Sequence, residues 1–249
     1  MSDENTPAKV GGAHAGYLSP EGFMSLGVGA WGVWASILAA LAFGLFFFRR
    51  GPSLTRTAVK TSAVGLLVVA CLLGGAPWPL LAGLTFSTLG DGFLAVESDR
   101  RLRLGLACFL LAHLFYVVLF LFFAITQGAH PAALSFAAVP LRRVVAIGVV
   151  GLAALAMLGW LWPKLGAMRA AVSLYVVAIV SMVAASLTLP PGYNAPIVGA
   201  LLFFASDALL AAQLFRGKFQ SSLGAFLVWW LYYFGQLGIM MDFAGQLTF

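Results

Sequence analysis

Residues 103–125 read RLGLACFLLAHLFYVVLFLFFAI, an apolar run with one arginine at its start and one histidine near its middle. An α-helix needs about 20 predominantly apolar residues to cross a bilayer, and this run is long enough. It shows no alternation of polar and apolar residues, so a strand of a membrane β-barrel is not indicated. Because the backbone in lipid must satisfy its own hydrogen bonds, the stretch predicts a transmembrane helix.

The composition extends this interpretation to the whole chain. Of 249 residues, 62% are hydrophobic and only 9% are charged, whereas a soluble domain carries about 25% charged residues. These figures exclude a water-soluble globule, a disordered chain, a collagen and a disulfide scaffold. The net charge of +6 is attributed to the lysines and arginines that orient membrane proteins, and no nucleic-acid partner is expected.

Eight apolar runs recur along the chain, and they predict an all-α polytopic membrane protein with eight transmembrane helices. The approximate runs are residues 24–48, 58–74, 79–96, 103–125, 144–162, 168–189, 195–215 and 222–244. We expect a polar N-terminal tail over residues 1–22, without the features of a cleaved signal peptide, and a single eight-helix domain over residues 23–249.

The basic residues predict the orientation of these helices. Eight spans divide the connecting segments into two sets. One set carries eleven basic residues and the other, with both termini, carries three. The richer set is expected in the cytoplasm, which puts both termini outside it. The protein is thus predicted to be an integral, multi-pass protein of the inner or plasma membrane if bacterial. Arg142 and Arg143 are the exception to this rule.

Two acidic residues, Asp91 and Asp207, lie well inside predicted spans. An intramembrane charge costs about 2.5–3.5 kcal/mol on insertion scales, so each marks a candidate functional site. Each aspartate precedes an arginine by nine residues, and a shift of 116 residues also aligns Tyr116 with Tyr232. The coincidence suggests a parallel duplication of four helices, a 4+4 repeat, that could bring both carboxylates to one cavity.

Polar and small residues surround both aspartates in the sequence. Ser87 and Ser206 can bond a carboxylate, and His113 and Tyr116 share a helix face, as do Tyr232 and Gln236. The alternative interpretation of each is a helix–helix contact without chemistry.

Lys60 and Arg56 at a predicted cytoplasmic helix start are topology charges or contacts to a lipid phosphate. With one histidine inside a span, no metal cluster is indicated, and no cofactor motif is present.

These residues resemble the YhhN-like lysoplasmalogenase family. The motifs that carry the resemblance are Ser87-x-x-Gly90-Asp91-x-x-Leu94, Gly105-x3-Phe109-x3-His113-x2-Tyr116, Gly199-Ala200-x5-Asp207 and Tyr232-Tyr233-x2-Gln236, with Tyr175 and Met182 in the sixth span. The resemblance implies eight membrane helices and hydrolysis of the vinyl-ether bond of lysoplasmalogens, which releases a fatty aldehyde and a glycerophospho-base. It also implies that Asp91 and Asp207 are catalytic. The family's lysine at the start of the second helix is usually followed by proline, whereas Lys60 precedes Thr61.

The expected mechanism is carboxylate acid/base catalysis. One aspartate would protonate the vinyl ether, and the other would stabilise the resulting cation and activate water. We predict substrate contacts for Ser87, His113, Tyr116, Tyr232, Gln236 and Lys60, with a lysoplasmalogen or related lysolipid as the partner, membrane lipid around the protein and no nucleic acid. The alternatives are a proton- or cation-coupled secondary transporter using the same aspartates, and a structural protein in which the acids only join helices.

Overall fold

The computed structural model describes residues 28–95, 98–126 and 141–244, and these ranges are all-helical, with no β-strand among them. The predicted N-terminal tail lies outside the described residues. The helices are α1 (Val28–Ala42), α2 (Leu54–Leu73), α3 (Trp78–Leu94), α4 (Asp99–Thr126), α5 (Leu141–Leu165), α6 (Arg169–Ser186), α7 (Asn194–Arg216) and α8 (Ser222–Met241). Each predicted apolar run overlaps one of these helices, and the ends agree within a few residues once the extension of α1 described below is included.

Six segments among the described residues are long and apolar enough to cross a membrane. One of them, Leu141–Ser186, is 46 residues long and contains both α5 and α6. Helix α3 has 17 residues, which is at the lower limit for a span. The protein is therefore all-helical with six candidate membrane-spanning segments, and the count of eight crossings remains a prediction.

Helix ends follow local signals in the sequence. The Ser53 hydroxyl accepts a hydrogen bond from the Arg56 N–H at the start of α2, and Ser221 caps α8 through the Gly224 N–H. Serine caps of this kind satisfy backbone donors that a helix start leaves free. Helix α7 ends at Gly217, which adopts φ = 60°, a left-handed conformation that glycine accommodates without strain.

Helix α1 continues as a π-helical turn over Phe43–Phe47. A π-helical turn carries one more residue per hydrogen-bonded ring than an α-helical turn, and it commonly lies at functional sites. Phe43 and Phe48, at the two ends of this turn, both line the cavity that also contains Asp91 and Asp207. The turn thus shapes one wall of the cavity.

Glycines allow the helices that position the site to approach closely. A Cβ at Gly199 of α7 would lie 2.5 Å from the Ile239 backbone nitrogen of α8, and one at Gly83 of α3 would lie 2.3 Å from the Tyr116 ring of α4. Helix pairs α7–α8, α3–α4 and α1–α2 make the most extensive contacts in the bundle. Such small-residue contacts are typical of helices packed in membranes.

Large apolar side chains point outward along much of the bundle. The most exposed include Trp31, Trp78, Val149 and Leu152, each at least 60% accessible. A soluble protein would not leave so much apolar surface to water, so this surface is suited to lipid. The structure is accordingly that of an integral membrane protein.

Candidate active site

The two intramembrane aspartates line one cavity of ≈ 220 Å³ at the end of the bundle where α1, α3 and α7 finish and α2 and α8 begin. Asp91 comes from the last turn of α3, and Asp207 lies nine residues before the end of α7. The cavity is also lined by Phe43, Phe48, Arg56, Lys60, Leu94, Ala95, Phe109, Ser206, Leu210, Gln213, Leu214, Ala225, Val228, Trp229 and Tyr232.

Asp91 is held in an ion pair. Its Oδ1 lies 2.7 Å from Lys60 Nζ of α2, while its side chain is 2% accessible and that of Lys60 is 20% accessible. The other oxygen, Oδ2, is buried without a hydrogen-bond partner among the described residues. A buried polar atom without a partner is costly, so Oδ2 is suited to accept a hydrogen bond from a water or a substrate hydroxyl.

Asp207 has a different environment. Its Oδ2 accepts a 2.5 Å hydrogen bond from the Tyr175 hydroxyl of α6 and lies 3.5 Å from His113 Nε2 of α4. No lysine or arginine lies within 4 Å of its carboxylate among the described residues. The cavity therefore presents two carboxyl groups of which only one is paired with a permanent cation.

The hydrogen bonds of His113 indicate where a proton resides. The ring is fully buried, and its Nδ1 lies 2.6 Å from the Phe109 carbonyl oxygen. A carbonyl only accepts, so Nδ1 carries a hydrogen and Nε2 faces Asp207 either as a lone pair or as a donor. Two lone pairs would repel at this position. Nε2 makes no hydrogen bond among the described residues, so it is available to accept a hydrogen bond from a protonated Asp207 carboxyl group.

Three predicted substrate contacts lie behind the cavity wall. The Tyr116 hydroxyl donates to Gln236 Oε1 at 2.5 Å, and Gln236 Nε2 donates to Ser87 Oγ at 3.0 Å. This network joins α3, α4 and α8, and its members are buried and absent from the cavity lining. Like His113, they are positioned to support the wall, while Lys60 and Tyr232 line the cavity itself.

The predicted bonds from serines to the carboxylates are wrong. Ser206 Oγ donates to the Val228 carbonyl at 2.9 Å, and Ser87 Oγ accepts from Gln236. In a helix interior, a serine commonly bonds to backbone or to a neighbouring helix, and both serines here do so toward α8. They join helices next to the aspartates.

Sequence reasoning leaves two features out of the site. The sequence presents Tyr175 only as part of the family pattern, although it hydrogen-bonds Asp207. The ion pair of Lys60 was not anticipated, because a lysine at a helix start is usually explained by membrane orientation. The described residues contain no cluster of three or more His, Cys, Asp or Glu side chains that could hold a metal ion.

Comparisons with known proteins agree with the motifs. Two relatives, from Mycobacterium bovis and Mycobacterium tuberculosis, are each named lysoplasmalogenase. Each is 32% identical to this chain over 204 residues, which covers 78% of this chain and 72% of the relative. No solved structure matches the chain. Residues 55–243 match the YhhN family, and this stretch contains every predicted catalytic and substrate-binding residue. The chain therefore belongs to the YhhN family.

Proposed function

We propose that the protein is a membrane hydrolase that cleaves the vinyl-ether bond of lysoplasmalogens, releasing a fatty aldehyde and a glycerophospho-base. The observation that carries the proposal is the pair Asp91 and Asp207 on one cavity in a chain whose curated relatives are named lysoplasmalogenase. The enzyme class, a hydrolase, follows from those relatives. The residue roles below are our assignment.

A vinyl ether resists base and yields to acid, which fits a site built from carboxyl groups. Protonation of the alkene carbon distal to oxygen produces an oxocarbenium ion. Water adds to this cation, and the resulting hemiacetal collapses to aldehyde and alcohol. The site must therefore supply a proton donor, an anion beside the cation, and a base for the attacking water.

The different neighbours of the two aspartates divide these roles. The ion pair with Lys60 favours the charged form of Asp91, so Asp91 is suited to stabilise the cation and to accept a proton from water. Within the described part of the chain, Asp207 has no lysine or arginine partner, and it faces His113 and Tyr175. We therefore assign Asp207 as the proton donor, with His113 and Tyr175 as residues that position it. Tyr232 at the cavity wall would orient the ether oxygen.

We further propose that all eight helices cross the membrane as a 4+4 parallel repeat over residues 23–249, with residues 1–22 as a polar tail and both termini non-cytoplasmic. The packing supports a repeat. The α3–α4 contact has its counterpart in α7–α8. Asp91 on α3 is bound by Lys60 from α2, as Asp207 on α7 is bound by Tyr175 from α6.

Purified protein in detergent, incubated with a 1-alkenyl lysophospholipid and its matched 1-acyl analogue, tests the function. We expect free aldehyde from the alkenyl lipid only. Asp91→Asn and Asp207→Asn should each abolish aldehyde release while the protein still inserts and purifies as a single species. Turnover by either variant at the wild-type rate would refute the carboxylate pair. Absence of aldehyde from the wild-type protein would refute the hydrolase.

A further inference from the structure

Two cations line the cavity from the same face of α2. Arg56 and Lys60 are four residues apart, so their side chains project from neighbouring turns. Lys60 is already paired with Asp91 at 2.7 Å. Arg56 has no carboxylate within ion-pair distance among the described residues. Its guanidinium carbon lies over the Phe43 ring, 5.4 Å from the ring centroid.

The position of Arg56 favours an anion. It is the third residue of α2, whose first turn contains no acidic residue. The N-terminus of a helix carries a partial positive charge, which makes a cation there unfavourable and a negative ligand favourable. The Arg56 Nε is also buried without a hydrogen-bond partner among the described residues. No described carboxylate pairs with this half-buried guanidinium, so the position is open to a negative ligand.

We propose that Arg56 is the anchor for the phosphate of the substrate's headgroup, an inference that rests on the proposed function. Arginine presents parallel N–H donors that match a phosphate, and the Phe43 ring supports the plane of the guanidinium. Arg56 and Lys60 are about 6 Å apart along the axis of α2, because each of the four intervening steps rises about 1.5 Å. This is about the separation of the ether oxygen and the phosphorus across an extended glycerol backbone.

This arrangement divides the two cations by task. Lys60 serves the carboxylate at the reacting end of the cavity, while Arg56, one turn nearer the N-terminus of α2, serves the headgroup. The charge pattern of the sequence treats both residues as topology charges or phosphate contacts, because both are basic and both lie near the start of a helix. The ion pair with Asp91 distinguishes Lys60 in the structure.

The test compares two substrates and four proteins. The substrates are a lysoplasmalogen and the 1-alkenylglycerol with the same chain and no phosphate. We expect Arg56→Gln to raise KM for the lysoplasmalogen about tenfold, to leave kcat within about threefold and to leave kcat/KM for the 1-alkenylglycerol within about twofold. Arg56→Lys should restore part of the lost affinity. Arg50→Gln is the matched control.

Arg50 is a suitable control because it is an exposed arginine stacked over Phe47 that does not line the cavity. Its replacement removes the same charge without touching the site, and both substrates should then react as with the wild-type protein. Activity on the 1-alkenylglycerol shows that each variant is folded. An equal loss of kcat/KM with both substrates in Arg56→Gln would overturn the proposal. A loss of kcat/KM for the lysoplasmalogen in Arg50→Gln as large as that in Arg56→Gln would also overturn it.

A binding measurement separates this inference from the proposed function. Thermal denaturation in detergent is followed with a 1-acyl lysophospholipid, a monoacylglycerol or inorganic phosphate, none of which contains a vinyl ether. We expect the lysophospholipid to raise the Tm of the wild-type protein and of Arg50→Gln, and to raise that of Arg56→Gln much less. If the lysophospholipid gives no greater increase than the monoacylglycerol or inorganic phosphate, the headgroup assignment fails, even where aldehyde release stands.

Discussion

Asp91 and Asp207 show how two identical side chains acquire different chemistry from their neighbours. One oxygen of Asp91 is paired with an ammonium, whereas one oxygen of Asp207 accepts from a phenol and lies 3.5 Å from an imidazole nitrogen. The first environment favours a fixed negative charge, and the second permits a mobile proton. Each environment can be altered by a single substitution, so both assignments are open to experiment.

Removing Lys60 should expose the cost of a buried unpaired carboxylate. We expect Lys60→Met to lower the free energy of unfolding by about 2–4 kcal/mol, because breaking one side of a buried ion pair strands the other. Thermal denaturation in detergent measures the change. Adding Asp91→Asn to Lys60→Met should recover most of the lost Tm without recovering activity. A double variant as unstable as the single variant would contradict the ion pair.

Tyr175 should affect catalysis more than folding. We expect Tyr175→Phe to reduce kcat about 10–100-fold, because it removes a hydrogen bond to a carboxyl group worth about 1.5–3 kcal/mol. The matched control is Tyr233→Phe, which loses a 2.9 Å bond to Ser36 away from the cavity lining. That control should cost about 1 kcal/mol of stability and leave kcat within about twofold. Equal kcat losses in the two variants would contradict a positioning role for Tyr175.

The sequence identifies the aspartates but not their partners. A carboxylate in an apolar run stands out because lipid penalises charge, so Asp91 and Asp207 are found without a structure. Tyr175 is not distinctive in the same way, since a tyrosine in a membrane helix is commonly packed with its hydroxyl satisfied. The pairing of Lys60 with Asp91 depends on how α2 packs against α3, which no local pattern encodes.

At the level of helices, glycines determine how closely neighbouring helices of the bundle can pack. Gly199, Gly235 and Gly238 bring the backbones of α7 and α8 into contact, and α8 carries Tyr232 to the cavity. The apolar runs predict the positions of all eight described helices. They do not predict which helices pair, because 28 glycines offer many possible small-residue faces. They also do not predict the π-helical turn of α1, since every position there is apolar or small.

A methyl group at the α7–α8 contact should be costly. We expect Gly199→Ala to destabilise the protein by about 1–3 kcal/mol, because its Cβ would lie 2.5 Å from the Ile239 backbone nitrogen. Gly151→Ala in α5 is the comparison, since no atom lies within 4 Å of the added Cβ. That change should be neutral or stabilise the helix by up to about 1 kcal/mol. Denaturation in detergent that ranks the two variants in the opposite order would refute the close contact.

For the whole molecule, the number of crossings depends on α3. With 17 residues it is at the lower limit for a span, yet it carries Asp91. If α3 crosses, the connections before and after it lie on opposite sides of the membrane. The charge pattern predicts that the α2–α3 connection is outside and that the α3–α4 connection is in the cytoplasm.

Cysteine labelling tests this topology. In a background without Cys71 and Cys108, we expect Gly74→Cys to react with an impermeant maleimide in intact cells. Ser98→Cys should react only after permeabilisation. Equal reactivity of the two sites in intact cells would show that α3 does not cross. A reversed pattern would show that the termini are cytoplasmic.

The glycine contact between α7 and α8 also limits how a lipid can reach the carboxyl groups. Because the backbones of α7 and α8 are in contact at Gly199, the two helices cannot be separated there by side-chain movement alone. We expect them to move together as a rigid pair. A single-chained lipid arriving from the bilayer must then enter beside the α7–α8 pair rather than between its two helices.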